Sequence, residues 1–108
     1  MRRTLWLVAG TEKSHGAWRT WPYYVLAASS VEAERCLQDY EARAFESVVA
    51  KYAGRFRPKQ LAREWGDLGK DIVKDLCKEG IADLFWWEEV GGEVKLCGVR
   101  EDRPWGVR

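Results

Sequence analysis

Residues 84–99 constrain the fold of this chain most strongly, because their sequence has the form of a β-hairpin. Two runs of β-prone residues, 84–90 and 93–99, flank the pair Gly91 and Gly92. A two-residue hairpin turn requires positive φ angles, which glycine adopts without strain. We therefore predict two antiparallel strands joined by a tight turn at the two glycines.

The two-residue turn also predicts the register of this hairpin. Counting outward from the glycines gives these pairs: Val90 with Glu93, Glu89 with Val94, Glu88 with Lys95, Trp87 with Leu96, Trp86 with Cys97 and Phe85 with Gly98. Neighbouring residues of a strand point to opposite faces, so the adjacent acids Glu88 and Glu89 cannot share an acid/base site.

The first part of the chain predicts a second pair of strands. Residues 4–9 and 17–28 have the apolar and aromatic composition of strands, and a polar loop at 11–16 separates them. Pro22 lacks a backbone N–H group, so we expect an edge position or a bulge that breaks the second strand there.

A long helix is predicted over residues 31–53. Ser29 and Glu32 have the spacing of a capping box, in which each side chain bonds a backbone N–H group of the other residue. Apolar residues then recur at helical spacing up to Gly54, which suits the left-handed position after a helix. Whether the helix is continuous near Ala42 is left open.

Two shorter helices follow at residues 59–65 and 70–79. Pro58 suits the first position of a helix because its missing N–H group would have no helical partner there. Gly66 and Gly80 are expected to end the two helices.

Length and composition fit one globular domain. The chain has 108 residues, of which 46% are hydrophobic and 32% charged, and domains typically hold about 100–150 residues. We predict a single α+β domain over residues 1–108, with the order β-β-α-α-α-β-β. An antiparallel sheet of about four strands would carry the helices on one face. Residues 1–3 and 101–108 are expected to fray.

The sequence contains no recognisable catalytic or metal-binding pattern. The only histidine, His15, lies in a Ser-His-Gly loop and forms no recognisable catalytic pattern with a second group. Cys36, Cys77 and Cys97 are odd in number and lack the paired spacing of a zinc site. Such cysteines favour a reducing, cytoplasmic compartment. We expect a non-enzymatic protein with no metal and no cofactor.

Aromatic residues indicate a binding partner. The chain contains seven tryptophans, and surplus aromatic surface on a small domain is typical of an interface. We predict that another protein contacts Trp18, Trp21, Tyr23 and Trp86, and a homodimer is compatible with this surface. No apolar run reaches the roughly 20 residues that span a bilayer, so no membrane partner is expected.

A second candidate surface is basic. Residues 51–63 include five basic side chains and no acidic one. With two lysines of the following helix, the candidates for contacting nucleic-acid phosphates are Lys51, Arg55, Arg57, Lys59, Arg63, Lys70 and Lys74.

One partial motif supports this alternative. Ala62, Gly66 and Ile72 have the spacing of the small residue, turn glycine and buried aliphatic residue of a helix-turn-helix. With the hairpin that follows, residues 59–99 resemble the winged-helix family, which implies DNA binding. Asp75 departs from that pattern, because an apolar residue is usual at its position.

In its small size and its lack of a recognisable reaction centre, the chain resembles another group, the accessory and inhibitor proteins of phages and mobile elements, anti-CRISPR proteins among them. This resemblance implies a protein that acts by binding a macromolecular partner. The alternative is a winged-helix nucleic-acid-binding protein that uses the basic and helical region 51–78.

Overall fold

A long antiparallel β-hairpin lies at the centre of the fold. The computed structural model describes residues 2–41, 44–82, 85–90 and 93–99. Strands β1 (Thr4–Ser14) and β2 (Ala17–Ala27) pair along their whole length. His15 and Gly16 connect them with φ angles of 52° and 79°, as in a type I′ turn. The predicted loop at 11–16 is wrong, because most of it extends β1.

Six further elements follow the central hairpin. They are α1 (Ser30–Tyr40), β3 (Ser47–Gly54), α2 (Pro58–Glu79), β4 (Ile81–Ala82), β5 (Phe85–Val90) and β6 (Glu93–Val99). A four-stranded antiparallel sheet has the order β3-β1-β2-β4, and β5 pairs with β6. The predicted single α+β domain with an antiparallel sheet is confirmed, and the element order agrees in outline.

Helix α1 begins with the predicted cap. The backbone N–H of Glu32 donates to Ser29 Oγ at 3.2 Å. The return bond differs from the predicted one, because Glu32 Oε2 accepts at 3.4 Å from the N–H of Ala28, one residue before the cap. The capping pair therefore satisfies backbone N–H groups at the helix start that have no helical partner.

The predicted helix over residues 31–53 is wrong beyond Tyr40, where α1 ends. Its second half is β3, which pairs antiparallel with β1. Apolar residues four apart, such as Val48 and Tyr52, fit a strand as well as a helix, because four is also a multiple of the two-residue strand period. Gly54 has a φ angle of 113°, and it ends β3 instead of a helix.

Pro22 does not break β2, contrary to the sequence prediction, but the predicted edge position is present, because among the described residues β4 pairs only with Tyr24 and Val25 of β2. It pairs with Ala9 in an uninterrupted register. The N–H of Leu26 donates to the carbonyl of Gly80 at 2.8 Å, on the β4 side. The backbone N–H groups of even-numbered residues in β2 point to the β4 side, away from β1. Since Pro22 lacks only a group on that side, it removes no hydrogen bond to β1.

The two helices cover opposite faces of the sheet, so the prediction of helices on one face is wrong. The buried side chains between α1 and the sheet form the core of what we call the α1 face: Val8, Tyr23, Val25, Ala27, Ala33, Leu37 and Ile81. Side chains that pack with α2 form the α2 face: Leu5, Tyr24, Leu61, Ile72, Leu76 and Ala82. Strand alternation puts apolar residues of β1 and β2 on both faces, and each face requires its own cover.

Helix α2 is divided at Gly66 into two segments. Gly66 has φ 60° and ψ −134°, outside the helical region. A Cβ atom at Gly69 would lie 2.4 Å from the carbonyl oxygen of Leu61, so the second segment turns back against the first. The predicted helix ends at Gly66 and at Gly80, whose φ is 79°, are confirmed.

The register of β5 and β6 is confirmed near the turn. Four predicted pairs are present, including Trp87 with Leu96 and Glu88 with Lys95. The two outer pairs are wrong, because a bulge leaves Cys97 without a partner in the register; Trp86 pairs with Gly98, and Phe85 with Val99. Gly91, Gly92 and the tail 101–108 lie outside the described residues.

Candidate binding surfaces

Trp18 lies close to the turn between β1 and β2 and is 58% exposed. It pairs with Lys13, and the Lys13 Nζ atom lies 5.9 Å from the centre of the Trp18 ring. A cation at that distance is attracted by the face of the indole. The structure thus places this predicted contact residue at the surface.

Tyr23 is a core residue, so its assignment to a contact surface is wrong. It is 2% exposed, and its hydroxyl donates to Glu41 Oε2 at 2.7 Å. Its ring meets Phe45 edge-on with the ring centres 6.4 Å apart. Because Pro22 does not interrupt β2, strand alternation keeps Tyr23 on the α1 face.

Trp21 is half-buried on the same face as Tyr23. Its Nε1–H donates to Glu12 Oε1 at 3.1 Å. The ring thus joins the edge of the core and is only partly accessible to a partner. The side chain of Trp86 lies outside the described residues.

Two large apolar side chains on the α2 face of the sheet are exposed. Helix α2 packs against β2 and β4, whereas β3 is at the opposite edge of the sheet. There Val49 pairs with Ala9 and is 58% exposed. Strand alternation places it on the same face as Trp18, about 16 Å away at about 4.8 Å per strand and 3.3 Å per residue. We call this surface the open sheet face: Ala9, Thr11, Lys13, Trp18, Thr20 and Val49.

All predicted nucleic-acid contacts are exposed. They are Lys51 on β3, Arg55 and Arg57 in the connection, and Lys59, Arg63, Lys70 and Lys74 on α2. Lys70 lies 3.6 Å from Asp67. In the part of the chain that the structure describes, no ion pair involves the basic residues between 51 and 63. Their charges are therefore presented to solvent.

The three residues of the predicted helix-turn-helix spacing lie at the corner of α2. Ala62 lies against Gly69, Gly66 makes the turn, and Ile72 is fully buried. The second segment presents lysines and acids together, including Lys74 and Asp71. Side chains of mixed charge are poorly suited to reading DNA bases in a groove, since the phosphates repel the acids.

A cleft lies where β3 joins α2. It holds about 280 Å³, and Leu5, Leu61 and Tyr24 lie at its floor, but most of its accessible lining is polar. Burial, followed by the negative charge of Glu64, raises the pKa of Tyr24 to about 12. The phenol is therefore uncharged at neutral pH.

The rim of this cleft is polar and contains two of the predicted basic residues, Arg55 and Arg57. Gln60 and Glu64 of α2 complete it, and Gln60 Nε2 donates to Glu64 Oε1 at 3.0 Å. The arginines are visible in the sequence as part of a basic stretch. The cleft is not, because its floor residues come from three separate elements.

Groups that could hold a metal do not cluster among the described residues. Cys36 is half-buried, and burial followed by the charges of Glu32 and Asp39 raises the pKa of its thiol. Cys77 is exposed, and the side chain of Cys97 is not described. His15 is an exposed turn residue.

Comparison of the chain with protein-family models, curated proteins and solved structures finds no match. Among the described residues, neither helix has an apolar stretch long enough to cross a membrane.

Proposed function

We propose that this protein is a non-enzymatic binding protein whose open sheet face docks against another protein. The observation that carries the proposal is the exposure of both Trp18 and Val49, each 58%, on the same face of the sheet. An exposed tryptophan is a common interface anchor, because it buries a large area at a small cost in rotamer entropy.

The edge of β3 favours docking on this face over addition of a strand. β3 is an edge strand, and edge N–H groups can pair with a strand of another chain. Here, however, the N–H of Ala50 donates to Glu34 Oε2 of α1 at 3.0 Å. Helix α1 thus occupies part of that edge, while the face that carries Val49 is left open.

Within this proposal the protein acts as an inhibitor or accessory protein of a phage or mobile element, a group that includes anti-CRISPR proteins. Such a protein acts by occupying a surface of its partner. The support is the small single domain together with the open sheet face.

The test compares Trp18→Ala and Val49→Lys with the wild type in capture of a partner from lysate of the native host, followed by affinity measurement on the purified pair. Loss of an interface anchor costs about 2 kcal/mol, or roughly 30-fold in affinity. Val31→Ala is the matched control, because Val31 is 62% exposed but lies on α1.

Thermal melts distinguish a contact role from a structural one. Both open-face variants should melt as the wild type does, whereas Leu37→Ala, in the core of the α1 face, should melt much lower. The proposal fails if Val31→Ala weakens binding as much as Trp18→Ala, or if Trp18→Ala destabilises as Leu37→Ala does.

A second candidate, binding of nucleic acid, is favoured by one observation. The helix-turn-helix corner of α2 lies next to the exposed basic residues between 51 and 63. Binding by phosphate contacts releases counterions, so affinity for a DNA or RNA oligonucleotide should fall at least tenfold between about 50 and 200 mM salt. An affinity that stays constant over this range would exclude the basic surface as the contact.

A further inference from the structure

We propose that the cleft between β3 and α2 binds a small organic anion, whose apolar part lies on Leu5 and Leu61 and whose carboxylate or phosphate is held by Arg55 and Arg57. The cleft shares no residue with the open sheet face. This inference therefore goes beyond the proposed function, and the failure of one proposal does not affect the other.

The floor of the cleft can receive an apolar group. Leu5 and Leu61 are each 7% exposed and Tyr24 is 8% exposed, and all three belong to the core of the α2 face. These side chains are held in place by core packing, so the floor is formed before a ligand arrives. The apolar area that the floor exposes is small, so it suits contact with one edge of a small apolar group, and polar side chains supply most of the lining.

The rim supplies a positive charge at a defined place. Phe56 packs against the core, and the arginines on either side of it, Arg55 and Arg57, both line the cleft. Gly54, with φ 113°, turns the chain from β3 into this segment, and α2 starts directly after it at Pro58. The guanidinium groups suit a carboxylate or phosphate, which they can bind through two parallel hydrogen bonds.

The charge balance of the cleft remains positive. Two arginines oppose one acid, Glu64, and Tyr24 is uncharged at neutral pH. The hydrogen bond from Gln60 holds Glu64 on the α2 side of the rim. The carboxylate of Glu64 can accept a hydrogen bond from a hydroxyl or amino group of the ligand.

The size of the cleft limits the ligand. Its volume of about 280 Å³ is at the lower end of the range of about 300–1,000 Å³ for sites that take drug-sized molecules. One ring with one anionic group is therefore the expected scale. A chain of several nucleotides would extend beyond it.

Phenyl phosphate and benzoate are suitable probes, in phosphate-free buffer, with amide chemical shifts followed by NMR. We expect either probe to shift amides of residues 53–64 and to saturate below about 20 mM, as fits a ligand of this size. Binding of only one probe identifies the anionic group as phosphate or as carboxylate, and supports the proposal in both cases. No saturable shift with either probe overturns it.

Protein and ligand controls separate the cleft from general charge attraction. The double variant Arg55→Gln, Arg57→Gln should weaken binding at least about tenfold, and melting should be unchanged because both residues are exposed. Lys59→Gln, an exposed basic residue beside the cleft, should leave affinity within about twofold. An equal loss with Lys59→Gln overturns the proposal.

Two further ligands test the organic part and the rival ligand class. Inorganic phosphate should bind about threefold more weakly than phenyl phosphate, because it cannot use the small apolar floor. Equal affinity overturns the proposal. Oligothymidylate that shifts the same amides with strong salt dependence, while phenyl phosphate does not, assigns the arginines to nucleic acid and also overturns it.

Discussion

At the scale of single residues, Gly10 shows how one missing side chain permits a close contact. A Cβ atom at Gly10 would lie 2.6 Å from ring carbons of Phe45. Gly10→Ala should therefore lower the free energy of unfolding by about 1–3 kcal/mol, as overpacking does. Urea unfolding would measure this loss. In a Phe45→Leu background the loss should largely disappear, and a loss of the same size there would mean that the ring contact is not its cause.

Because of Tyr24, the free energy of unfolding should fall as pH becomes alkaline. Its pKa in the folded protein is about 12, against about 10 in an unfolded chain. The contribution of Tyr24 to the free energy of unfolding is complete below pH 10. It is lost as pH rises towards 12, at about 1.4 kcal/mol per pH unit. Urea unfolding of the wild type and Tyr24→Phe should diverge above pH 10. Parallel stability curves for the two proteins would contradict the shift.

At the scale of elements, the corner of α2 depends on glycine. A Cβ atom at Gly69 would lie 2.4 Å from the Leu61 carbonyl oxygen and 2.8 Å from the Ala62 Cα atom. Both are backbone atoms, so no side-chain rotation can relieve the clash. Gly69→Ala should cost about 3 kcal/mol or more in unfolding free energy, measured with urea.

Lys74→Ala serves as the control for this substitution, because Lys74 is exposed on the same segment of α2. Its effect should stay within about 0.5 kcal/mol. Near-equal stabilities of Gly69→Ala and Lys74→Ala would show that the two segments of α2 do not pack as closely as described.

At the scale of the whole molecule, the sheet separates two cores. Leu37 belongs to the α1 face and Ile72 to the α2 face, and both are fully buried. Leu37→Ala should cost about 2–5 kcal/mol and Ile72→Val about 0.5–1.5 kcal/mol. Because the sites share no packing partner, the costs in the double variant should add within about 0.5 kcal/mol.

A pair within one core provides the comparison. Ile72 and Leu76 lie one turn apart in α2 and belong to the same cluster, so Ile72→Val and Leu76→Ala should couple by about 0.5 kcal/mol or more. Urea unfolding of the single and double variants measures both couplings. Strong coupling across the sheet, between Leu37 and Ile72, would contradict the separation of the cores.

The sequence by itself determined the features that one residue or a neighbouring pair controls. The cap at Ser29, the start of α2 at Pro58 and its interruption at Gly66 were predicted and are present. Each depends on a local property, such as a capping oxygen, a fixed φ angle or tolerance of positive φ. The basic residues that border the cleft were also visible as a stretch of charge.

Tertiary structure decided what local patterns left ambiguous. The spacing of Val48 and Tyr52 fits both a helix and a strand, and only pairing with β1 selects the strand. Likewise, apolar residues on both faces of β1 could be covered only by helices on opposite sides. The cleft arises in the same way, because Leu5 and Leu61 are distant in sequence and become neighbours only when α2 packs on the sheet.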